Sequence, residues 1–230
     1  MNLRAIHFVS LILGLLSVQE LFSEVAVPVK FSAPDGARIQ GLLVGKGTVG
    51  LVLVAPALNG KEFWESMLPE FVGRGYMVLT YDPRGRGESR GGREPAGYEQ
   101  DVLGAVKFLK SKRAKKVIPI GVGSGARTVL TAAGKDRSGN IKQAIVISPS
   151  PADNVEKIRA TLLIMSSLRE NFNKYAERIF RRRKEADQYD VYLGSAHGLA
   201  IFSERRRGRV FERIVNFIEK GPRKGMRRHN

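Results

Sequence analysis

Six short apolar runs constrain the fold of this chain more than any other feature. They are GLVLVAPA (Gly50 to Ala57), MVLTYD (Met77 to Asp82), KVIPIGV (Lys116 to Val122), QAIVISP (Gln143 to Pro149), ATLLIMSS (Ala160 to Ser167) and YDVYLGS (Tyr189 to Ser195). None alternates strictly between apolar and polar residues, which is the pattern of strands buried on both faces. Between the runs, apolar residues recur at helical spacing. Trp64, Met67, Leu68 and Phe71 do so, as do Phe172, Tyr175, Ala176 and Ile179, and Phe211, Ile214, Val215 and Ile218. Strand and helix in alternation predict an α/β fold with a mostly parallel, doubly wound sheet covered by helices. Ahead of it, VAVPVKFSAPDGARIQGLLVG reads as an antiparallel pair of strands turning at Pro34, Asp35 and Gly36. In such sheets the chemistry collects at the carboxyl ends of the strands.

A chain of 230 residues that is 43% hydrophobic holds one good core, which predicts a single domain over residues 24–221. Residues 1–23 carry one early cation, Arg4, and an apolar stretch from Ala5 to Val18. That is the layout of a signal peptide cleaved near Ser23, and the stretch is short for a membrane span. Export, periplasmic or secreted, is the expected destination, with an uncleaved membrane anchor as the other reading. The absence of cysteine excludes disulfides and thiolate catalysis. The net charge is +17, with basic runs at Arg181–Lys184 and Arg205–Arg209 and a basic tail over 222–230 that reads as disordered. Anionic lipid or polymer is the surface that Arg181–Arg183 and Arg205–Arg207 would favour. No aromatics are interleaved with these runs, so no specific nucleic acid is expected. Neither a cofactor nor a metal is expected.

Four segments following the strands carry the chemistry: APALNGKEFW (Ala55 to Trp64), YDPRGRGES (Tyr81 to Ser89), GVGSGA (Gly121 to Ala126) and GSAHGLAIF (Gly194 to Phe202). In this order and spacing they resemble a small α/β-hydrolase without a cap domain, near the dienelactone hydrolase and short esterase branches. The resemblance covers nearly everything after residue 23. It implies that the first segment supplies an oxyanion donor near Ala57. The second matches the turn D-x-R-G-x-G-x-S, in which Asp82 and Arg84 pin neighbouring loops. The third is the nucleophile elbow, and the last delivers the base. The chain has three histidines, His7, His197 and His229, and only His197 lies at a strand end. A catalytic base is therefore His197 or none. The acid is expected after ATLLIMSS, where strict alignment places Arg169 and a one-residue shift places Glu170. Asp153 is the second candidate. Glu170 also reads as a carboxylate favoured at a helix start.

The elbow pattern G-x-S-x-G puts its serine on a strained strand-to-helix turn between two small residues. Two frames fit GVGSGA. With Gly121 and Gly125 as flanks the central residue is Gly123, which has nothing to attack with. With Ser124 central the flanks become Val122 and Ala126, and a β-branched group enters the tightest contact of the turn. The string also satisfies G-x-G-x-x-A of a dinucleotide loop, but it follows an interior strand and the next strand ends in ISPS, without a carboxylate. The first frame implies a pseudo-hydrolase. The second implies a serine esterase of small acyl substrates, with Ser124 attacking, His197 as base, Glu170 orienting it, and the N–H groups of Ala57 and Ser124 holding the oxyanion.

Overall fold

The computed structural model describes residues 26–92, 96–183 and 187–229. The leader-like segment 1–23 lies outside them. One nine-stranded sheet organises the chain, in the order β1-β2-β4-β3-β5-β6-β7-β8-β9. β1 (Ala26–Ser32) and β2 (Arg38–Val44) form the predicted antiparallel pair, and β2 continues antiparallel onto β4 (Met77–Tyr81). Gly36 closes their turn at φ +90°, donating its N–H to Ala33. From β3 (Val49–Val54) onward every pairing is parallel, through β5 (Lys116–Val122), β6 (Gln143–Ile147), β7 (Thr161–Ser167) and β8 (Gln188–Tyr192).

Both faces of these strands are dry, as their lack of polar alternation requires. In β3, Val52 and Val54 join one core while Leu51 and Leu53 join the other. The first core packs under Val102, Val129 and Ile179. These belong to the helices α2 (Tyr98–Ser111), α3 (Ser124–Lys135) and α4 (Asn173–Arg182). The second packs under Phe71 and Ile214, from α1 (Leu68–Gly73) and α5 (Arg207–Lys220). Trp64 and Met67 precede α1 in a 3-10 turn, and Pro69 then sets the first turn of α1, so the predicted single helix is divided in two. Among the described residues no helix is long and apolar enough to cross a membrane.

Two expectations about basic segments are corrected. Residues 225–229 are not a disordered tail: Gly225–His229 form β9, paired in parallel with β8. The sequence there lacks strand periodicity because the strand is an edge. It is held by its backbone ladder and by the His229 ring, stacked on Tyr192 at 4.9 Å. Nor is Arg183 a surface cation. Its side chain is 1% exposed and donates to Asp187 and to the carbonyls of Val155, Ile158 and Ala160. The carbonyl ends of this crossover have no strand partner, so a buried guanidinium satisfies them. Arg181 pairs with Glu177, Arg206 caps Leu193, and Arg207 reaches Glu70 on α1, so much of both runs is committed within the fold.

Candidate active site

Gly123 joins β5 to α3 at φ 57°, ψ −119°, a conformation that side chains adopt only under strain. Its neighbours fix the frame of the turn. A Cβ on Gly121 would stand 2.5 Å from the Gly125 carbonyl oxygen, and one on Gly125 would stand 2.5 Å from the oxygens of Val54 and Ala55. These two positions are therefore the tight flanks, two residues either side of Gly123. Val122 does not flank the turn: it is buried, and its Cγ1 packs toward Gly198. The frame centred on Ser124 thus has no counterpart in the geometry, because the close backbone approach occurs at Gly121 and Gly125. A Cβ placed on Gly123 would meet a single neighbour within 4 Å, His197 Nε2 at 3.8 Å.

His197 follows β8 and precedes a 3-10 turn over Gly198–Phe202. Its Nδ1 lies 2.7 Å from Glu170 Oε2. The Glu170 side chain is 1% exposed, and its other oxygen accepts the Ser167 N–H at 2.8 Å, which sets the one-residue offset after β7. Arg169, the strictly aligned position, points its N–H at Gly194 and is exposed. Asp153 is exposed on the loop after β6, and the imidazole's bond goes to Glu170. With the Nδ1 proton directed at Glu170, Nε2 presents its lone pair toward the vacancy over Gly123. The His197 loop is fixed from below by Ser148, a fully buried residue at φ 49° whose Oγ accepts the Gly198 N–H at 2.9 Å. Ser148 escaped the sequence analysis. Its only trace was the small polar residue ending the run QAIVISP.

The loop after β3 completes the site. The Ala57 N–H donates to Ser124 Oγ at 2.9 Å, and the Ala57 carbonyl accepts from Arg86 Nε at 2.6 Å. Among the described residues no hydrogen bond joins Ser124 Oγ to His197. Asp82 accepts from both the N–H and the Nζ of Lys61, holding the far side of the same loop, while Ser89 Oγ donates to the Asp82 carbonyl. Arg84 binds Asp35 and Asp101 at once. Its hydrogen bond holds the Asp35 carboxyl below the usual range, whereas burial raises Asp101 despite the same partner. Beside this loop a cavity of about 480 Å³ is lined by Ala57, Gly97, Tyr98, Ser124, Arg127 and Thr128.

The loops after β3, β5, β7 and β8 thus meet at the carboxyl ends of these strands, and known proteins share the fold. The family model of the α/β hydrolase fold matches residues 50–198. A Synechocystis sp. protein that carries the name non-heme chloroperoxidase is 28% identical over 161 residues, 66% of this chain and 56% of its own length. The chain therefore spans little more than half of that relative. A Pyrococcus furiosus esterase structure superposes with a TM-score of 0.74 at 14% identity, covering 85% of this chain and 92% of the esterase. An α/β hydrolase from Penicillium sp. gives 0.71 at 17% identity, over 85% and 98%. Matched through more than half its length and closed around a strand-to-helix elbow, the chain belongs to the α/β-hydrolase fold family.

Proposed function

We propose that this protein is a pseudo-hydrolase, an α/β hydrolase that keeps its general-base pair and has lost the covalent nucleophile. In a serine hydrolase the hydroxyl at the apex of the elbow passes its proton to the imidazole and attacks the acyl carbon. Here the apex carries no side chain, so no acyl-enzyme can form there. The observation that carries this reading is that a Cβ at Gly123 would have His197 Nε2 as its neighbour, at 3.8 Å. Ser124, the remaining hydroxyl of the turn, is engaged by the Ala57 N–H instead. On this reading a small acyl or ester-like ligand is bound and not turned over, and the cavity of about 480 Å³ that reaches the site at Ala57 and Ser124 is the space beside it. The apolar stretch from Ala5 to Val18 supports export, which fractionation of expressing cells tests.

A second reading, hydrolysis through Ser124, draws on the retained contact between His197 and Glu170 at 2.7 Å. Turnover of p-nitrophenyl acetate and butyrate by the wild type, Ser124→Ala and His197→Ala separates the two. The pseudo-hydrolase reading expects all three to stay at the rate of an inert protein control. Turnover in the wild type that disappears in both variants would establish the second reading in its place.

A further inference from the structure

We propose that Ser124 closes the oxyanion site from inside, as a second lock beside the missing nucleophile. The inference rests on the reading of Gly123 as the vacated nucleophile position. In that frame the two donors facing an acyl oxygen are the backbone N–H groups of Ala57 and Ser124. The first is already taken, because Ala57 N–H donates to Ser124 Oγ at 2.9 Å. The loop bearing Ala57 does not drift to escape this bond. Its carbonyl is pinned by Arg86, and Asn59 N–H closes a tight turn onto the Pro56 carbonyl at 2.8 Å. Ser124 is equally fixed. It opens α3, and the flanking Gly125 sits against the backbone of Val54 and Ala55.

A carbonyl oxygen entering the site must therefore displace the Ser124 hydroxyl before it reaches the Ala57 N–H. The arrangement is self-consistent for a site that no longer performs acyl transfer. A backbone donor left without an acceptor in a partly buried loop is costly, and the serine hydroxyl satisfies it. It also orders two changes that would otherwise look unrelated: a glycine where the hydroxyl should be, and a hydroxyl where the next residue needs only its N–H. On this account Ser124 is a positioning residue that acts through Ala57, not an attacking group.

The test compares Gly123→Ser with Gly123→Ser/Ser124→Ala, using p-nitrophenyl butyrate turnover, fluorophosphonate labelling and the backbone amide resonance of Ala57. The double variant is expected to exceed the single one in kcat by about 10- to 100-fold. This is less than the roughly 10²- to 10³-fold effect of deleting an oxyanion donor outright, because a serine hydroxyl can rotate away. In Ser124→Ala alone, the Ala57 amide proton is expected to move upfield as its acceptor is lost. Equal turnover in both Gly123→Ser proteins, with an unmoved Ala57 resonance, would overturn the lock and leave the reading of Gly123 intact. If neither folded variant labels or turns over, the reading of Gly123 fails and the lock falls with it.

Discussion

Restoring a hydroxyl at Gly123 is the perturbation whose consequences the geometry fixes most closely. The Cβ of Gly123→Ser meets nothing but His197 Nε2, at 3.8 Å. A hydroxyl oxygen on that Cβ, in a rotamer turned toward the imidazole, can come within the roughly 2.6–3.2 Å that a general base requires. The imidazole is already oriented by Glu170, so serine, histidine and carboxylate would be in register without movement of the backbone. The cost is conformational: a non-glycine residue at φ 57°, ψ −119° stores about 1–3 kcal/mol. The variant should therefore unfold in urea at a midpoint lower by roughly 0.5–1.5 M, taking a slope of about 2 kcal/mol/M. Against that loss it should gain ester turnover at least about 10²-fold above the wild type, even with the Ala57 donor engaged, from nucleophile and base acting together. Stopped-flow or plate assays of p-nitrophenyl butyrate measure the gain, and His197→Ala in the same background should abolish it. A folded Gly123→Ser protein with turnover unchanged from wild type, or with turnover indifferent to His197, would refute the reasoning.

Three further outcomes follow from contacts within the fold. Gly125→Ala places a Cβ 2.5 Å from the backbone oxygens of Val54 and Ala55, and chemical denaturation should show a loss of about 1–3 kcal/mol, since backbone cannot yield as a side chain can. Arg183→Met leaves Asp187 buried without its cationic partner and removes the donor to the carbonyls of Val155, Ile158 and Ala160, so a loss of about 3–5 kcal/mol is expected; a change under about 1 kcal/mol would contradict the role given to it. The Arg84 hydrogen bond holds Asp35 below its ordinary value, so Asp35 contributes stability above pH 3.8 and loses it as pH falls through its folded value. Asp35→Asn should therefore lower the unfolding free energy at pH 7, by under about 1 kcal/mol because the Asp35 carboxylate is more than a third exposed. The difference from wild type should close as the pH falls below the ordinary carboxylate range and Asp35 is protonated in the folded protein.

The alternation of dry strands and amphipathic helices was legible because a strand buried on both faces is mostly apolar, with β8 keeping a buried Asp190 by pairing it with Arg213. The frame of the elbow was legible for a related reason. Gly121 and Gly125 are demanded by backbone contacts of 2.5 Å, and a β-branched flank cannot meet that demand. The contact of Glu170 with His197 was only half legible. The bond from Ser167 N–H to Glu170 Oε1 sets the offset of Glu170, and nothing in LREN announces which side chain will fold back on the strand end. Ser148 and Arg86 escaped because their work is done across the chain, on Gly198 and on Ala57, by single hydrogen bonds. β9 escaped because an edge strand draws its order from a neighbour's backbone and needs no apolar pattern of its own. The buried Arg183 looked like its exposed neighbours in RRRK, since a run of charge does not show which member turns inward.

The central claim is that the apex of the elbow is chemically empty. Intact-mass measurement of the wild-type protein after incubation with a fluorophosphonate tests it most directly. The account predicts an unmodified mass for the wild type and a single adduct, mapping to residue 123, for Gly123→Ser under the same conditions. An adduct on the wild type that maps to Ser124 and disappears in Ser124→Ala would contradict it.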